Sequence, residues 1–303
     1  MSGPLRFTVR NEKEGLFRIS HLSIALSGLP KEFVGYRMVQ LTDLHFGPAT
    51  TASHIEHAVA ITSSLKPDTV LLTGDYVQFS ATGLGHKIAK RFNPKAFRWI
   101  DYRREVRELA SKLGKMLTPL TPPDGIYGVF GNHDHLEGLG SIIRQLPSSV
   151  RWLNNSNIAI QKGASKIILA GIDDLRRGKP NLFRALDFAL LDPADRMASE
   201  ISTEGAFLKV LLSHNPDITI AQNNNLIQHV NLMLCGHTHG GQIRLPIIGA
   251  PVTRTKQSSH VSGLSYFRDT AVYVSNGVGY GGVPIRLLCP PEIVCITLQP
   301  APA

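Results

Sequence analysis

Met38-Val39-Gln40-Leu41-Thr42-Asp43-Leu44-His45 sets a pattern that the rest of the chain repeats: an apolar run ends in a side chain able to bind metal. Thr69-Val70-Leu71-Leu72 leads to Gly74-Asp75, and Gly128-Val129-Phe130 leads to Gly131-Asn132-His133-Asp134. Val210-Leu211-Leu212 leads to Ser213-His214-Asn215-Pro216, and Leu232-Met233-Leu234-Cys235 to Gly236-His237-Thr238-His239. Short apolar runs without polar alternation suit strands covered on both faces, although each alone also fits a buried helix segment. Glycine at Gly74, Gly131 and Gly236 suits a chain that turns sharply and brings its backbone close to a ligand. Such strands would deliver oxygen and imidazole ligands to one edge of a sheet, where two divalent cations could be held.

Working outward, Thr51 to Leu65 reads as a helix ending before Pro67, Ala271 to Ser275 as a strand before Asn276-Gly277, and Glu292 to Leu298 as a closing strand. Strands alternating with helices predict a layered α/β fold. Taken singly, the motifs have bland explanations. Asp-x-His occurs in many turns beside a surface histidine. Gly-Asp is ordinary turn chemistry, and Ser213 to Pro216 would serve as a helix cap. The ordered set is another matter, because packing gives no reason for every strand to end this way.

The set resembles the calcineurin-like metallophosphoesterase superfamily, whose blocks are D-x-H, G-D, G-N-H-[DE], a later H and G-H-x-H. All are present in order from residue 43 to 239. The resemblance implies the αββα sandwich of that superfamily, two mixed β-sheets flanked by helices. A closer likeness rests on Gly240-Gly241-Gln242, Arg244-Leu245-Pro246, and the tail Gly279 to Glu292 with its Val283-Pro284-Ile285-Arg286 and Cys289-Pro290-Pro291. These look like the YkuE branch, which includes the LpxG-type enzymes of lipid A synthesis that cleave UDP-2,3-diacylglucosamine.

The resemblance implies a ligand set. One cation would take Asp43, His45, Asp75 and His239, the other Asp75, Asn132, His214 and His237, with Asp75 bridging. Carboxylate, amide oxygen and imidazole together suit manganese best, with iron or zinc as substitutes, over calcium or magnesium. No cysteine falls at a ligand position, which argues against a thiolate-bound structural zinc. Two such cations, roughly 3.5–4 Å apart, would activate water and neutralise phosphoryl oxygens. By its match to the motif His133 would stabilise or protonate the leaving group, and Asp134 would orient His133; the alternative is a structural loop pair.

Length, at 303 residues, fits a single domain spanning 1–303 with a basic amphipathic cap at about 80–117. Cys235, Cys289 and Cys295 lie in or beside apolar sequence with no paired framework, which points to a reducing compartment and to buried small side chains. No signal peptide or membrane-spanning run is visible, whereas YkuE-like proteins often carry an amino-terminal membrane segment. The expectation is a cytoplasmic protein, peripheral on the inner face of the cell membrane.

The element that would hold it there lies between His86 and Arg107. Eight lysines and arginines face only Asp101 and Glu105, giving +6 of the chain's formal +9. Leu84, Ile88 and Phe92 share one helical face before Pro94, and Phe97 and Trp99 follow. With Lys90 and Arg91 beside Ile88, Phe92, Phe97 and Trp99, the stretch reads as a contact for anionic lipid headgroups, or equally as a solvated hairpin packed on the domain. Val106, Leu109, Leu113 and Leu117 are assigned to the interior. Arg176 and Arg177 could meet a substrate diphosphate, since the guanidinium fork matches phosphate oxygens, or could belong to a solvated loop; Asn276 and Arg286 are further substrate candidates.

The function expected is hydrolysis of a lipid-linked nucleotide, UDP-2,3-diacylglucosamine, to UMP and 2,3-diacylglucosamine 1-phosphate. The alternatives are a phosphodiesterase on soluble or nucleic-acid phosphodiesters and a non-catalytic binding module. No stable nucleic-acid partner is expected, because the positive charge is interleaved with hydrophobic anchors instead of forming a polar groove.

Overall fold

The apolar runs become strands because both faces of each are covered. In a computed structural model, which describes residues 5–79, 99–186, 206–221 and 223–302, thirteen strands form two sheets. The first sheet contains β1 (Arg6–Glu14), β2 (Phe17–Leu26), β3 (Arg37–Leu41), β4 (Thr69–Thr73), β5 (Ile126–Val129) and β6 (Val150–Trp152). The second contains β7 (Ser156–Lys162), β8 (Ser165–Gly171), β9 (Ala206–Leu212), β10 (Leu232–Cys235), β11 (Gly263–Phe267) and β12 (Thr270–Val274). The last strand, β13 (Glu292–Pro300), returns to the first sheet, whose order is β1-β2-β13-β3-β4-β5-β6; the second runs β11-β12-β10-β9-β8-β7.

Both sheets are mixed. β3 to β6 are mutually parallel, β13 runs antiparallel to β3, and β8, β9, β10 and β12 are parallel. Between the sheets, Met38, Leu71 and Val129 meet Leu169, Val210, Leu234 and Tyr273. On the opposite face of β3, Val39 and Leu41 pack with Ile55 and Ile61 of α1 (Ala52–Ser64) and with Val106, Leu113 and Leu117 of α2 (Trp99–Leu117). Side chains of a strand alternate between faces, so one five-residue run fills two layers. The expected αββα sandwich is the observed architecture.

Buried polar side chains also cross between the sheets, Gln40 and Tyr273 among them, Tyr273 donating from its hydroxyl to Glu292 on β13 at 2.8 Å. Gln40, fully buried, donates from Nε2 to Thr73 Oγ1 on β4 at 2.8 Å and to the Cys235 carbonyl on β10 at 3.1 Å. It therefore ties together the ends of three strands that carry motif residues.

The helix expected from Thr51 is α1, with Thr51 as its cap accepting the His54 N–H. In α2, Val106, Leu113 and Leu117 are buried as expected, and Leu109 is half-buried against the same core. Ile88, Lys90, Arg91, Phe92 and Phe97 lie outside the described residues, and Trp99 opens α2. Among the described residues no helix is long and apolar enough to cross a membrane.

Candidate metal centre

The C-terminal ends of parallel strands from both sheets meet at one end of the sandwich. Asp43 follows β3, Asp75 follows β4 and Asn132 follows β5, while His214 follows β9 and His237 follows β10. The expectation of a single sheet edge is thus corrected. Two facing sheets supply the residues, because their parallel strands end on the same side.

Of the seven residues named as ligands five, Asp43, His45, Asp75, His237 and His239, sit at positive φ between 41° and 70°. Left-handed backbone costs an L-residue on the order of 1–2 kcal/mol. Turning straight after the strand is what aims each side chain back at its neighbours. Glycines make room where no side chain can stand. A Cβ at Gly131 would lie 2.2 Å from Asp75 Oδ1, and one at Gly236 would lie 2.3 Å from Asp43 Oδ2.

The ligand-type atoms converge tightly. His45 Nε2 lies 3.0 Å from His239 Nε2, and His239 Nε2 lies 3.4 Å from Asp43 Oδ1. On the other side, His214 Nε2 is 3.2 Å from His237 Nδ1. Asp75 stands between the two groups, its Oδ2 being 3.4 Å from His45 Nε2 and 3.2 Å from His214 Nε2. Three overlapping sets, Asp43–His45–His239, His45–Asp75–His133 and Asp75–His214–His237, each have donor atoms within 4.8 Å of one another. All seven residues named as ligands but Asn132 are fully buried; Asn132 is half-buried, with its Oδ1 out of reach of solvent.

The surrounding hydrogen bonds point the right atoms inward. Asp75 Oδ1 accepts the His133 N–H at 2.8 Å, which leaves Oδ2 facing the histidines. Nδ1 of His214 donates to the Thr73 carbonyl at 2.8 Å, which turns its Nε2 toward Asp75. Asp43 accepts the His237 N–H and the Thr42 hydroxyl. Asn132 Oδ1, a buried acceptor, finds no hydrogen-bond partner among the described residues. A buried amide oxygen without a donor costs roughly 1–3 kcal/mol, and a cation would remove that cost. This donor set therefore fits two divalent cations.

Charges divide in the same way. Burial pushes His45, His237 and His239 well below the usual histidine range, so all three are neutral with lone pairs available. Burial also opposes charge on His214, but Asp75 and Asp43 outweigh it and raise its pKa to about 10. Burial likewise opposes ionisation of Asp75, yet His214, through its charge and its hydrogen bond, holds it well below the ordinary carboxylate range. At neutral pH His214 carries a proton that a cation at its Nε2 must displace. The affinity for metal should then rise about tenfold per pH unit until near His214's pKa of about 10, with about one proton released per chain. Calorimetry in two buffers of different ionisation heat checks this; uptake without proton release would contradict the charged His214.

Asp134 does not orient His133, and that expectation is corrected. Asp134 Oδ2 accepts the N–H groups of Asp75 and Gly131, at 2.8 and 2.7 Å, and Oδ1 accepts that of Tyr76 at 2.8 Å. With both oxygens taken by backbone, this buried carboxylate fastens the Asp75 loop to the Gly131 loop. Burial and the Asp75 charge push it up to about 8, against the pull of those N–H groups. His133 does stand at the cluster, its ring edge-on to His45 with centroids 4.9 Å apart.

Arg176 and Arg177 are exposed near the rim, and neither contacts the cluster directly. Asp174 Oδ2 accepts both of their backbone N–H groups, and Arg176 Nη2 donates to the Arg254 carbonyl at 2.8 Å. Arg254 itself has no motif around it in the sequence and went unmarked there. Its Nη2 donates to the Gly281 carbonyl at 3.0 Å. A Cβ at Gly281 would lie 2.9 Å from both Arg254 Nη1 and His239 Nε2, so only a methyl-sized gap separates guanidinium and imidazole. The charge of Arg254 contributes to the lowered pKa of His45, His237 and His239. Arg286 points inward instead. Its guanidinium donates to the carbonyls of Asn276, Gly277 and Gly279, and meets His239 Nδ1 at 3.3 Å, so it braces the turn below the cluster. Asn276 is buried there too, its Oδ1 accepting the Ser262 hydroxyl.

Known proteins are similar to this chain along most of its length. The phosphodiesterase YaeI of Escherichia coli is 30% identical over 273 residues, covering 87% of this chain and 82% of its own. The metallophosphoesterase YkuE of Bacillus subtilis is 28% identical over 281 residues, covering 91% and 84%, and a metallophosphoesterase of Aquifex aeolicus is 27% identical over 287, covering 93% and 92%. The sequence profile of the calcineurin-like phosphoesterases matches residues 36–241, the span that delivers every residue of the cluster, and the chain belongs to that family.

Proposed function

We propose that this metal-dependent hydrolase of phosphate esters cuts the diphosphate of a lipid-linked nucleotide, UDP-2,3-diacylglucosamine, giving UMP and 2,3-diacylglucosamine 1-phosphate. In this reading Asp43, His45, Asp75 and His239 hold one cation, and Asp75, Asn132, His214 and His237 the other. Manganese is the assigned metal, since mixed carboxylate, amide and imidazole donors suit it. The observation that carries the reading is Asp75 Oδ2 placed between two histidine groups, at 3.4 and 3.2 Å, with Asn132 Oδ1 left unpartnered beside them. When bound, divalent cations supply Lewis acidity, making a water nucleophilic near neutral pH and drawing charge from phosphoryl oxygens.

The chain's own residues do the rest. His133 gives a proton to the leaving oxygen. Asp134 keeps the Asp75 and Gly131 loops in register through its three backbone hydrogen bonds. Arg254, with Arg176 beside it, binds non-bridging oxygens of the diphosphate at the rim. The basic stretch from His86 to Arg107 contributes attraction to anionic lipid, and the enzyme works on the inner membrane face.

Loss of a charged hydrogen bond costs about 1.5–3 kcal/mol. Arg254→Ala should therefore lower kcat/KM on a diphosphate about 10- to 100-fold, mainly through KM, with metal content unchanged. Equal kcat/KM in that variant would remove Arg254 from substrate binding.

A second reading, hydrolysis of soluble phosphodiesters, is favoured by the likeness to a protein named as a phosphodiesterase. Incubation with UDP-diacylglucosamine, nucleotide diphosphosugars and cyclic nucleotides in the presence of manganese, with detection of released nucleotide, separates the two. Release of UMP from the lipid substrate supports the first reading. Cleavage of soluble nucleotides alone overturns it.

A further inference from the structure

Eight of the fifteen large apolar side chains most exposed among the described residues fall in two loops, 245–252 and 283–288. The loops are joined to each other and to the cluster. Ile243 and Leu287 form a β-bridge, and Arg244 N–H donates to the Leu287 carbonyl at 2.9 Å. A Cβ at Gly241, two residues from His239, would meet Ala250 Cβ at 2.3 Å. The aliphatic side chains therefore stand beside the same open end of the sandwich as the cluster.

The tip of the first loop is a tight turn in which Leu245 and Gly249 exchange backbone hydrogen bonds. Ile247 occupies it at φ 68° and is fully exposed, with Ile248 73% exposed beside it. Left-handed backbone disfavours a β-branched residue, and water disfavours its side chain. Neither the turn nor solvation accounts for isoleucine there. Val252, Ile285 and Leu288 extend the patch, each more than half exposed.

Charge identifies what covers it. Residues 243–257 and 279–291 contain Arg244, Arg254, Lys256 and Arg286 but no aspartate or glutamate. Asp217, which packs against the segment just after the first loop, is buried with its carboxylate on the Lys256 N–H and the Thr255 hydroxyl. Arg254 and Lys256 remain exposed. Aliphatic tips backed by the exposed positive charge of Arg254 and Lys256 suit the boundary of an anionic bilayer, where side chains enter the acyl region and cations stay among phosphates.

We infer that the paired loops 245–252 and 283–288 form a bilayer-docking surface that sets the open end of the metal centre against anionic lipid. It draws on none of the residues between His86 and Arg107, and its role holds whichever phosphoester is cut.

The test uses full-length, manganese-loaded protein and vesicles of phosphatidylcholine alone or in equimolar mixture with phosphatidylglycerol. Wild type should co-sediment with the mixed vesicles. The double variant Ile247→Ser, Ile248→Ser should partition about a hundredfold more weakly while hydrolysing a soluble aryl phosphodiester at the wild-type rate, which shows that it folds. Should that variant misfold, the pair Ile285→Ser and Leu288→Ser on the second loop should give the same loss. Absence of wild-type binding, or vesicle binding unchanged in folded variants, overturns the inference. So does a halved molecular mass in the variant by light scattering, which would mean that a second copy of the chain covers the patch.

Discussion

Asp75→Ala is expected to lower kcat/KM by at least about a thousandfold and to leave the protein unable to retain two cations, as measured by metal analysis after gel filtration beside turnover of an aryl phosphodiester. The reason lies in how much this carboxylate does. Its Oδ2 reaches toward His45 and His214, and its Oδ1 anchors the His133 N–H. Without it, His214 loses the first of the charges that raise its pKa, and His45 loses its carboxylate neighbour. Asp75→Asn keeps the shape and the acceptor for His133 N–H while removing the charge. It should fold like wild type and still lose most metal. Normal turnover in either variant would refute the assignment of Asp75.

The second large effect is expected from His133→Ala. General acid catalysis contributes typically 10²–10⁴-fold, and a loss of about that size should appear in kcat. Metal content should hold, since the assigned donor sets are complete without His133. The leaving group discriminates further. A p-nitrophenyl ester departs without needing a proton and should be affected far less than an alkyl ester. Equal losses on both would show that His133 acts in some other way.

What the sequence revealed and what it hid follow from the kind of contact involved. β3, β4, β5, β9 and β10 bury most of their side chains on both faces, so they read as short, mainly apolar runs, and the residues that end them are legible. β1 carries RFTVRNEKE, exposed nearly throughout and paired only to β2 at the sheet edge. No burial pattern marks such a strand, and it was not anticipated. The role of Asp134 is hidden in the sequence for a different reason. Its partners are the backbone N–H groups of Asp75, Tyr76 and Gly131, and backbone donors look the same at every position. The Thr73 carbonyl that fixes His214 was hidden likewise. Arg254 lies in a stretch, Thr253-Arg254-Thr255-Lys256, with no motif or periodicity, and only the packing of its loop against Gly281 brings it to His239. Exposed Ile247 and Ile248 sit in a Pro-Ile-Ile-Gly run that resembles any short apolar segment until its accessibility is known.

The paired-cation centre is tested most directly by anomalous scattering from crystals grown with manganese, recorded on either side of the manganese edge. Two peaks per chain are predicted, flanking Asp75, one among Asp43, His45 and His239 and the other among Asn132, His214 and His237. Ordered side chains at these positions with no anomalous peak between them would contradict it.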